Sequence, residues 1–488
     1  MREDWVDVEL GGVCVVSMGQ SPPSSTYNTD KKGLPFFQGK AEFTTLHPVV
    51  QKWCNKPKKT AEVDDILLSV RAPVGATNIA NQKCAIGRGL AAITYTPYKY
   101  IFYYLKLIES KLDTQGTGTT FKAISGKVLK SQIVPLAPQP EQRAIVAKIE
   151  QLFSELDNGI ANLKTAKDKL EIYRQAVLKK AFEGELTKGW REKQIDLPSA
   201  DQLLEQIKTK CERHHDQQFT DWQTAVQTWA QNSKPGKKPT KPKKPKNTFQ
   251  LVENDLSEKL PGGWGWLLMG DLAKEMCLGK MLDKSKNKGG LLPYIGNINV
   301  RWGKFELGNL KEMRFEVHES DRYGLEYGDL VLCEGGEPGR CAIWKSNKDM
   351  RIQKALHRIR FWKQQTSPDF VYYYMQFSAD TGRINKHFTG TTINHLTGKG
   401  LRQVLIPICS KEEQTQIVKE IETRLSVCEN AMKNIDEALK KSEALRQSIL
   451  KKAFEGKLLS DAELQACRQE PDWEPAEKLL ERIKKEKK

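Results

Sequence analysis

The chain has 488 residues, and its 78 Lys and Arg against 61 Asp and Glu give a formal net charge of +17. A mean hydropathy of −0.58, with no uninterrupted apolar run of about 18 residues, excludes a membrane-spanning helix. The opening MREDWVDVEL is acidic where a secretory signal would be apolar, so we expect no signal peptide. The ten cysteines show no CxxC spacing, which argues against a disulfide framework or a zinc ribbon. We therefore expect reduced thiols and a cytoplasmic protein.

The first predicted elements alternate strands and turns. Residues 61–70, AEVDDILLSV, are typical of a buried strand, and the turn RAPVG follows at 71–75. The aromatic run YIFYY at 100–104 continues into a helical pattern. We interpret this run as core packing rather than as a platform for base stacking. Residues 1–138 are predicted to form a first mixed α/β domain.

A long amphipathic helix is predicted after residue 138. Pro140 indicates its start, and Gly184 lies where a left-handed C-terminal cap is expected. About 44 residues at 1.5 Å each give roughly 65 Å. Gly159 falls at a core position and interrupts a heptad seam that includes Ile149, Leu152, Leu156, Leu163 and Leu170. We assign residues 139–210 to this first helical region.

A Lys/Pro-rich segment interrupts the chain in its middle. Residues 234–246, KPGKKPTKPKKPK, contain seven lysines and four prolines. Such a composition favours an extended, semi-rigid spacer, although lysines that contact phosphates are the alternative. Residues 211–254 are assigned to this linker. Without its seven lysines the remaining chain still carries a charge of +10, which indicates a basic folded surface.

The second half of the chain repeats the first. The run that begins TGTTFKAISGK at Thr117 recurs as TGTTINHLTGK at Thr389, 272 residues later, with 30 identities over 71 positions and no gap. Both copies end in LKKAFEG. Upstream, DILLSVRAPVG at 65–75 aligns with DLVLCEGGEPG at 329–339. We assign residues 255–410 to a second variable domain and 411–488 to a second helical region.

The second long helix has a seam of the same kind. A capping box of Ser410 and Glu413 indicates its start, and the seam includes Ile421, Ile435, Leu445 and Ile449. Two narrow seams of equal length in one chain most simply bury each other. Either orientation is sterically possible, and an antiparallel pair places the variable domains at opposite ends of a rod.

No catalytic constellation is visible in the sequence. Walker, HExxH and GxSxG motifs are absent, and no glycine-rich GxGxxG follows a strand. The carboxylate pair Glu334 and Glu337 lies in the turn CEGGEPGR, but the corresponding first-half turn has no carboxylate. We interpret the pair as turn or base-edge residues rather than as metal ligands.

The chain resembles the DNA-specificity subunit of type I restriction–modification systems. Four features carry the resemblance, each present twice and in order: the W-x-x-V/L-x-L/M-G opening, the G-T-T…L…I-V/L-I-P segment, the E-Q-x-x-I-V helix start and LKKAFEG. The resemblance implies an α+β fold with two mixed α/β target-recognition domains separated by two long helices that form an antiparallel coiled-coil pair. It implies no active site, metal or cofactor on this chain. It also implies double-stranded DNA, two methyltransferase subunits that use S-adenosylmethionine, and ATP- and Mg²⁺-dependent restriction subunits as partners.

Polar residues near glycines are the candidates for DNA contact. Arg71 suits guanine O6 and N7, whereas Glu337, at the position of Pro73, can accept from cytosine N4. The full candidate set is Gln20, Gln38, Lys40, Arg71 and Arg88 in the first half, and Lys280, Asn297, Arg301, Lys304 and Arg340 in the second.

Two other classes of protein remain as alternatives. One is a self-sufficient DNA endonuclease or methyltransferase, against which the missing cofactor and metal motifs count. The other is a coiled-coil scaffold without a nucleic-acid role, which leaves the divergent domains and the folded positive charge unexplained.

Overall fold

The computed structural model describes the chain except residues 1–2, 119–121, 233–237, 246, 253–258, 284, 286, 391 and 488. The chain divides into two compact units. The first unit combines Met1–Thr165 with Asn434–Lys488, and the second consists of Ala166–Lys433. Each unit therefore combines one variable domain with parts of both helical regions. The middle of the Thr117 loop, the tip of the Thr389 loop and parts of the Lys/Pro segment lie outside the described residues.

The first unit begins with short strands and short helices, and a long helix follows them. Its strands are β1 (Val6–Glu9), β2 (Val15–Met18), β3 (Tyr27–Asn28), β4 (Leu34–Phe37), β5 (Trp53–Cys54), β6 (Thr60–Ala61), β7 (Ile66–Ser69), β8 (Thr77–Ile79), β9 (Cys84–Ile86), β10 (Leu90–Thr94) and β11 (Ile133–Leu136). Its short helices are α1 (Leu10–Val13), α2 (Tyr98–Leu107), α3 (Glu109–Thr114) and α4 (Gly126–Lys130). The long helix α5 (Gln139–Phe182) follows.

The second unit repeats this order after α6 (Lys188–Arg191) and α7 (Ala200–Gln231). Its strands are β12 (Gly265–Leu268), β13 (Ala273–Leu278), β14 (Gly290–Ile295), β15 (Val300–Arg301), β16 (Lys304–Phe305), β17 (Lys311–Phe315), β18 (Leu330–Cys333), β19 (Cys341–Ile343), β20 (Arg351–Ile352), β21 (Leu356–Phe361) and β22 (Leu405–Ile408). Its further helices are α8 (Met269–Leu272), α9 (Ser320–Tyr323), α10 (Pro368–Asp380), α11 (Gly398–Arg402) and the start of α12 (Lys411–Phe454). The C-terminal helices α13 (Asp461–Arg468) and α14 (Ala476–Glu486) belong to the first unit.

The central sheet has the same topology in both units. The strand order is β2-β10-β7-β8 in the first and β13-β21-β18-β19 in the second, with antiparallel pairing throughout. The predicted strand 61–70 supplies β7, and YGDLVLC at 327–333, which the sequence likewise predicts as a strand, supplies β18; the residues of both β7 and β18 are all buried. The aromatic run at 100–104 and the equivalent run FVYYY at 370–374 lie in α2 and α10, with Tyr100 and Phe370 both at 0% exposure. The core-packing interpretation of these aromatic runs is therefore confirmed.

The smaller sheet also preserves one distinctive pairing. Strand β4 pairs in parallel with β9, and β14 pairs in parallel with β20. Around this pair the sheets differ: the first has the order β3-β5-β4-β9-β6, and the second has β17-β14-β20 with a separate β15-β16 hairpin. The two variable domains thus share a frame and differ at its edges.

A tryptophan near the start of each variable domain ties its sheet to the long helix. Trp5 Nε1 donates to Glu141 at 2.8 Å, and Trp264 Nε1 donates to Glu413 at 3.0 Å. Both glutamates are buried. The backbone N–H of Ala200 donates to the carbonyl before Trp264, and that of Ala476 donates to the carbonyl before Trp5. The duplicated W and E-Q motifs are therefore structural joints.

The capping box predicted at Ser410 is only half present. The N–H of Glu413 donates to Ser410 Oγ at 3.1 Å. The carboxylate of Glu413 accepts instead from Trp264, from Thr187 at 2.8 Å and from Arg191 at 2.8 Å. A buried carboxylate needs hydrogen-bond donors. These three donors satisfy the Glu413 carboxylate more fully than the single backbone N–H of Ser410 in a complete capping box would.

The two long helices pack antiparallel. In the first unit, the N-terminal half of α5 shares a core with Ile449 and Leu450 near the end of α12. In the second, Val177 and Leu178 near the end of α5 share a core with Ile417 at the start of α12. Both helices have 44 residues and end at glycines with positive φ, Gly184 (73°) and Gly456 (71°). The predicted lengths, caps and pairing are confirmed.

The seam is tight at the helix ends and looser between them. Ile149, Ile421 and Ile449 are buried, and Leu152, Leu156, Leu163, Leu170 and Ile435 are half-buried. Leu445 departs from the prediction, because its side chain is 49% exposed. The next residue, Arg446, lies over the ring of Phe153 and pairs with Asp157, so it covers the partner helix there. Gly159 is also exposed, with open space where a Cβ would be.

The segment assigned to the linker is partly helical and partly anchored. Helix α7 continues to Gln231, well beyond residue 210. The described part of the Lys/Pro segment lies against this helix, where Trp222 Nε1 donates to the Pro239 carbonyl at 3.0 Å and Lys241 lies over the Phe219 and Trp222 rings. Among the described helices, none is both long and apolar enough to cross a membrane.

Candidate nucleic-acid interface

Five backbone segments meet at one end of the central sheet in the first unit. We call this the first loop end and define it as residues 19–20, 39–42, 69–75, 87–90 and 117–123, of which 119–121 are not described. Backbone hydrogen bonds hold the segments together: Gly19 N to Leu90 O (2.8 Å), Gln20 N to Ile86 O (3.1 Å), Gly87 N to Phe37 O (2.8 Å), Val70 N to Gly89 O (2.9 Å) and Ile124 N to Val70 O (3.0 Å).

The second unit has a second loop end with the same bonds. It consists of residues 279–280, 296–299, 333–339, 353–356 and 389–395, of which 391 is not described. The corresponding bonds are Gly279 N to Leu356 O (2.9 Å), Lys280 N to Ile352 O (3.1 Å), Gln353 N to Ile295 O (3.0 Å), Glu334 N to Ala355 O (2.8 Å) and Leu396 N to Glu334 O (2.7 Å). The two ends therefore match position for position.

Close backbone approach explains one pair of glycines in this frame. A Cβ on Gly19 would be 2.2 Å from the Gly87 carbonyl oxygen, and a Cβ on Gly279 would be 2.4 Å from the Gln353 carbonyl. Neither neighbour is a flexible side chain, so both positions require glycine. The residues that follow, Gln20 and Lys280, consequently occupy the same place in the two ends.

The first loop end presents unpaired cations. Lys40, Arg71 and Arg88 are exposed, and none has a carboxylate partner among the described residues. Gln20 is exposed and Gln38 is half-buried. Four of the predicted residues of the first half therefore lie on this end, and Gln38 directly precedes its segment 39–42. Free guanidinium and ammonium groups at one surface suit phosphate oxygens and the acceptor edges of bases.

Three of the four cations predicted in the second half are already paired, at or beside the second loop end. Lys280 is 4% exposed and its ammonium pairs with Glu319 at 2.5 Å. Arg301 pairs with Glu306 at 3.0 Å, and Arg340 pairs with the Glu337 carboxylate at 2.8 Å. Lys280 is therefore wrong as a candidate for direct DNA contact, because its charged group is buried and neutralised within the unit.

Asn297 anchors the second loop end. Its Nδ2 donates to the Gly335 carbonyl at 2.8 Å, while its own carbonyl accepts from Arg340 at 3.2 Å. Trp302 Nε1 also donates to Glu337 at 2.7 Å. The side-chain oxygen of Asn297 and Nε of Arg340 are buried without a partner in the described part of the chain. Asn297 and Arg340 thus act first as a scaffold for the turn 333–339.

Of two lysines in the second unit, the predicted Lys304 lies away from the loop end, and Lys354, which was not predicted, lies on it. Lys304 lines a separate cavity of about 320 Å³ with Arg174, Asp369 and Tyr372, away from the loop end. Lys354, which sequence reasoning missed, is exposed at the turn tip that Arg88 occupies in the first unit. The only sequence signal for Lys354 was its position before strand β21, and the shared backbone bonds were needed to recognise it.

The carboxylate of Glu337 in the second loop end has structural partners. Both oxygens of Glu337 accept hydrogen bonds, from Trp302 and from Arg340. No group of three or more His, Cys, Asp or Glu side chains with the geometry of a metal site occurs among the described residues. The interpretation of Glu337 as a turn residue therefore agrees with its contacts.

The fold and the loop ends define a class of protein, a duplicated binding protein with two equivalent ends. Residues 2–165 match the sequence model of a family described as "Type I restriction modification DNA specificity domain". The chain is 42% identical over 190 residues to the putative type I restriction enzyme MjaX specificity subunit of Methanocaldococcus jannaschii. That alignment covers 38% of this chain and 44% of the relative, so it spans less than half of that protein.

The likeness to other relatives extends over the whole chain. The type I restriction enzyme EcoBI specificity subunit of Escherichia coli is 22% identical over 505 residues, which cover 100% of this chain and 93% of the relative. A crystal structure of the HsdS subunit from Thermoanaerobacter tengcongensis is 47% identical, with a TM-score of 0.30, over 32% of this chain and 39% of that chain. The chain is therefore similar to type I restriction–modification specificity subunits, over residues 2–165 to the family model and over its whole length to the EcoBI subunit.

Proposed function

We propose that this chain is the non-catalytic specificity subunit of a type I restriction–modification complex. In this proposal each loop end reads one half of a split, asymmetric DNA sequence. The observation that carries it is the match between the two ends, which share their backbone bonds and differ in their side chains. Such a pair holds two different sets of base-contacting groups in the same geometry, which is what an asymmetric bipartite site needs.

The long helices would set the distance between the two half-sites. Each has 44 residues, about 66 Å at 1.5 Å per residue. Reading heads on one face of a duplex must be separated by about 34–36 Å or a multiple of it. In this proposal the paired helices act as the spacer, and the buried Trp–Glu joints hold each variable domain to its own long helix. A change in helix length would then alter the spacer between half-sites without changing the bases read.

Two copies of one methyltransferase subunit are the expected partners. Tyr173 and Leu445 lie 272 residues apart, at the same position of the repeat, and are 44% and 49% exposed. Equivalent exposed apolar side chains on both helices favour two equivalent docking surfaces. S-adenosylmethionine, ATP and Mg²⁺ would be bound by the methyltransferase and restriction subunits. The complex would work in the cytoplasm, as the ten unpaired cysteines favour.

Mapping of methylated sites tests the proposal. The full chain and its methyltransferase partner are expressed in a host without restriction systems, and modified adenines are located by sequencing. The expected result is one bipartite motif with a fixed spacer, and a light-scattering mass of one specificity chain with two methyltransferases. Methylation without a split motif would contradict the two-ended model. Methylation or cleavage of DNA by the purified chain alone, with Mg²⁺ and S-adenosylmethionine, would support the self-sufficient enzyme instead.

A further inference from the structure

The loop 389–395 places His395 against the turn 333–339. A Cβ added to Gly335 would lie 2.9 Å from Nδ1 and 3.0 Å from Cε1 of the His395 ring. A side chain at position 335 and the imidazole of His395 therefore compete for one space. Gly335 has an ordinary φ, so this competition, rather than backbone conformation, accounts for the glycine.

The first unit has the converse pair of residues at these two positions. The residues at the positions of Gly335 and His395 are Arg71 and Ala123, which face each other in a β-bridge. The long side chain therefore comes from the turn in the first loop end and from the loop in the second. In each end the partner position has a small residue.

His395 is held firmly at its backbone and is free at its ring. Its N–H and carbonyl exchange hydrogen bonds with Thr389, both at 2.8 Å. The following residue, Leu396, donates to the Glu334 carbonyl at 2.7 Å and accepts from the buried ring of His357 at 3.1 Å. The imidazole of His395 is exposed and makes no hydrogen bond to any described residue.

We propose that His395 is a base-reading, specificity-determining residue of the second loop end, where it takes the place of Arg71 in the first. This inference rests on the proposed function of the chain. A neutral imidazole offers one donor and one acceptor, whereas a guanidinium offers donors only. Arg71 therefore suits the two acceptors of guanine, whereas His395 can also accept, through one ring nitrogen, from a base donor such as adenine N6 or cytosine N4.

A single substitution tests the role of the ring. His395→Ala, in the full chain with its methyltransferase partner, is expected to reduce discrimination at one base pair of the second half-site by about tenfold or more. The first half-site and the spacer should be unchanged. His214→Ala is the matched control, since His214 lies on α7 against Trp362 at the far end of strand β21. A His395→Ala motif identical to that of the wild type would overturn the inference.

A reciprocal exchange tests the competition for space. Gly335→Arg combined with His395→Ala recreates the Arg71–Ala123 arrangement, and we expect the preference at that base pair to move to guanine. Gly335→Arg alone meets the imidazole and should give a weaker and mixed preference. If the double variant kept the wild-type preference, the inference would be wrong.

The proposed function of the chain and the role of His395 are distinguished by different outcomes. If the wild-type complex shows no split motif, the proposed function fails. If it shows a split motif that His395→Ala leaves intact, only the role of His395 fails. The unfolding temperature of His395→Ala should match that of the wild type, because His395 is exposed. Gly335 is buried, so the unfolding temperatures of the variants at that position separate a specificity change from misfolding.

Discussion

The two loop ends have one backbone frame but differ in whether their cations are paired with carboxylates. In the first, Lys40, Arg71 and Arg88 are exposed without carboxylate partners in the described chain. In the second, the predicted cations are paired with Glu319, Glu306 and Glu337. The first end can attract phosphates over a distance, whereas the second is an ordered network whose free groups are few. A frame held by backbone bonds thus allows the chemistry of the surface to diverge without refolding.

The largest expected effect would come from placing a charge at a buried position that the two long helices have in common. Ile149 and Ile421 occupy the same position of the repeat, and both are fully buried. Ile149→Asp or Ile421→Asp buries an unpaired charge and should cost several kcal/mol of unfolding free energy. Thermal and denaturant unfolding measure this.

Leu445→Asp is the control for this pair. Leu445 is 49% exposed, so its substitution should change the free energy of unfolding by less than about 0.5 kcal/mol. A cost for Leu445→Asp as large as for Ile421→Asp would mean that Leu445 belongs to the buried seam after all.

The next effect concerns the charges that distinguish the two ends. Replacing Lys40, Arg71 and Arg88 together by Gln should reduce the slope of log affinity against log salt by up to about 2.7 for duplex DNA, since each phosphate contact contributes about 0.9. Lys354→Gln, at the tip equivalent to Arg88, should reduce the slope by about 0.9 at most. Titrations of DNA binding at several salt concentrations give these slopes. Equal slopes for the triple variant and the wild type would show that the first end does not contact phosphates.

A smaller difference between the units should appear with pH. Burial lowers the pKa of His357 below its usual value of 6.5, and the corresponding residue of the first unit is Ala91. Because the unfolded chain binds the proton more readily, this contribution to stability is present above about pH 6.5 and is lost as the pH falls. The unfolding temperature should therefore drop less between about pH 7.5 and 5.5 in His357→Gln than in the wild type. An identical drop in both would exclude His357 as a source of the pH dependence.

The smallest expected change in stability should come from giving the two long helices the same residue at positions 159 and 431. Gly159 of α5 corresponds to Ala431 of α12, and a Cβ at position 159 would meet nothing within 4 Å. Gly159→Ala should raise the free energy of unfolding by roughly 0.5–1 kcal/mol, because alanine costs less backbone entropy in a helix. Ala431→Gly should lower it by a similar amount. Destabilisation by Gly159→Ala would indicate that position 159 is covered in the folded protein.

The sequence indicated the repeat and the frame because both depend on local patterns. The 272-residue offset, the 3–4 spacing and the cap glycines predicted two 44-residue helices with their ends nearly in place. Counting heptads nevertheless placed Leu445 on the seam. Such counting assumes that the apolar stripe stays on the same face along the whole of a long helix. The structure places Arg446 against the partner ring instead, which turns Leu445 outward.

The candidate DNA-contacting residues were predicted better in the first half of the chain than in the second. Those of the first half lie together because each is adjacent to a glycine turn, and such turns meet at one end of an antiparallel sheet. The same rule selected Lys280, but composition around a turn does not show whether a carboxylate from elsewhere in the chain, here Glu319, lies within reach. It also missed Lys354 and His395, which no short motif marks.

The sequence by itself determined the duplication, the helix lengths and caps, the buried strands and the resemblance to specificity subunits, since periodicity, glycine positions and repeated motifs are properties of neighbouring residues. Only the tertiary structure decided which cations are free, which carboxylates are joints and which side chain fills the space between turn and loop. These depend on contacts between residues such as Gly335 and His395, 60 positions apart in the chain. Through-space competition of this kind has no signature in a single local pattern.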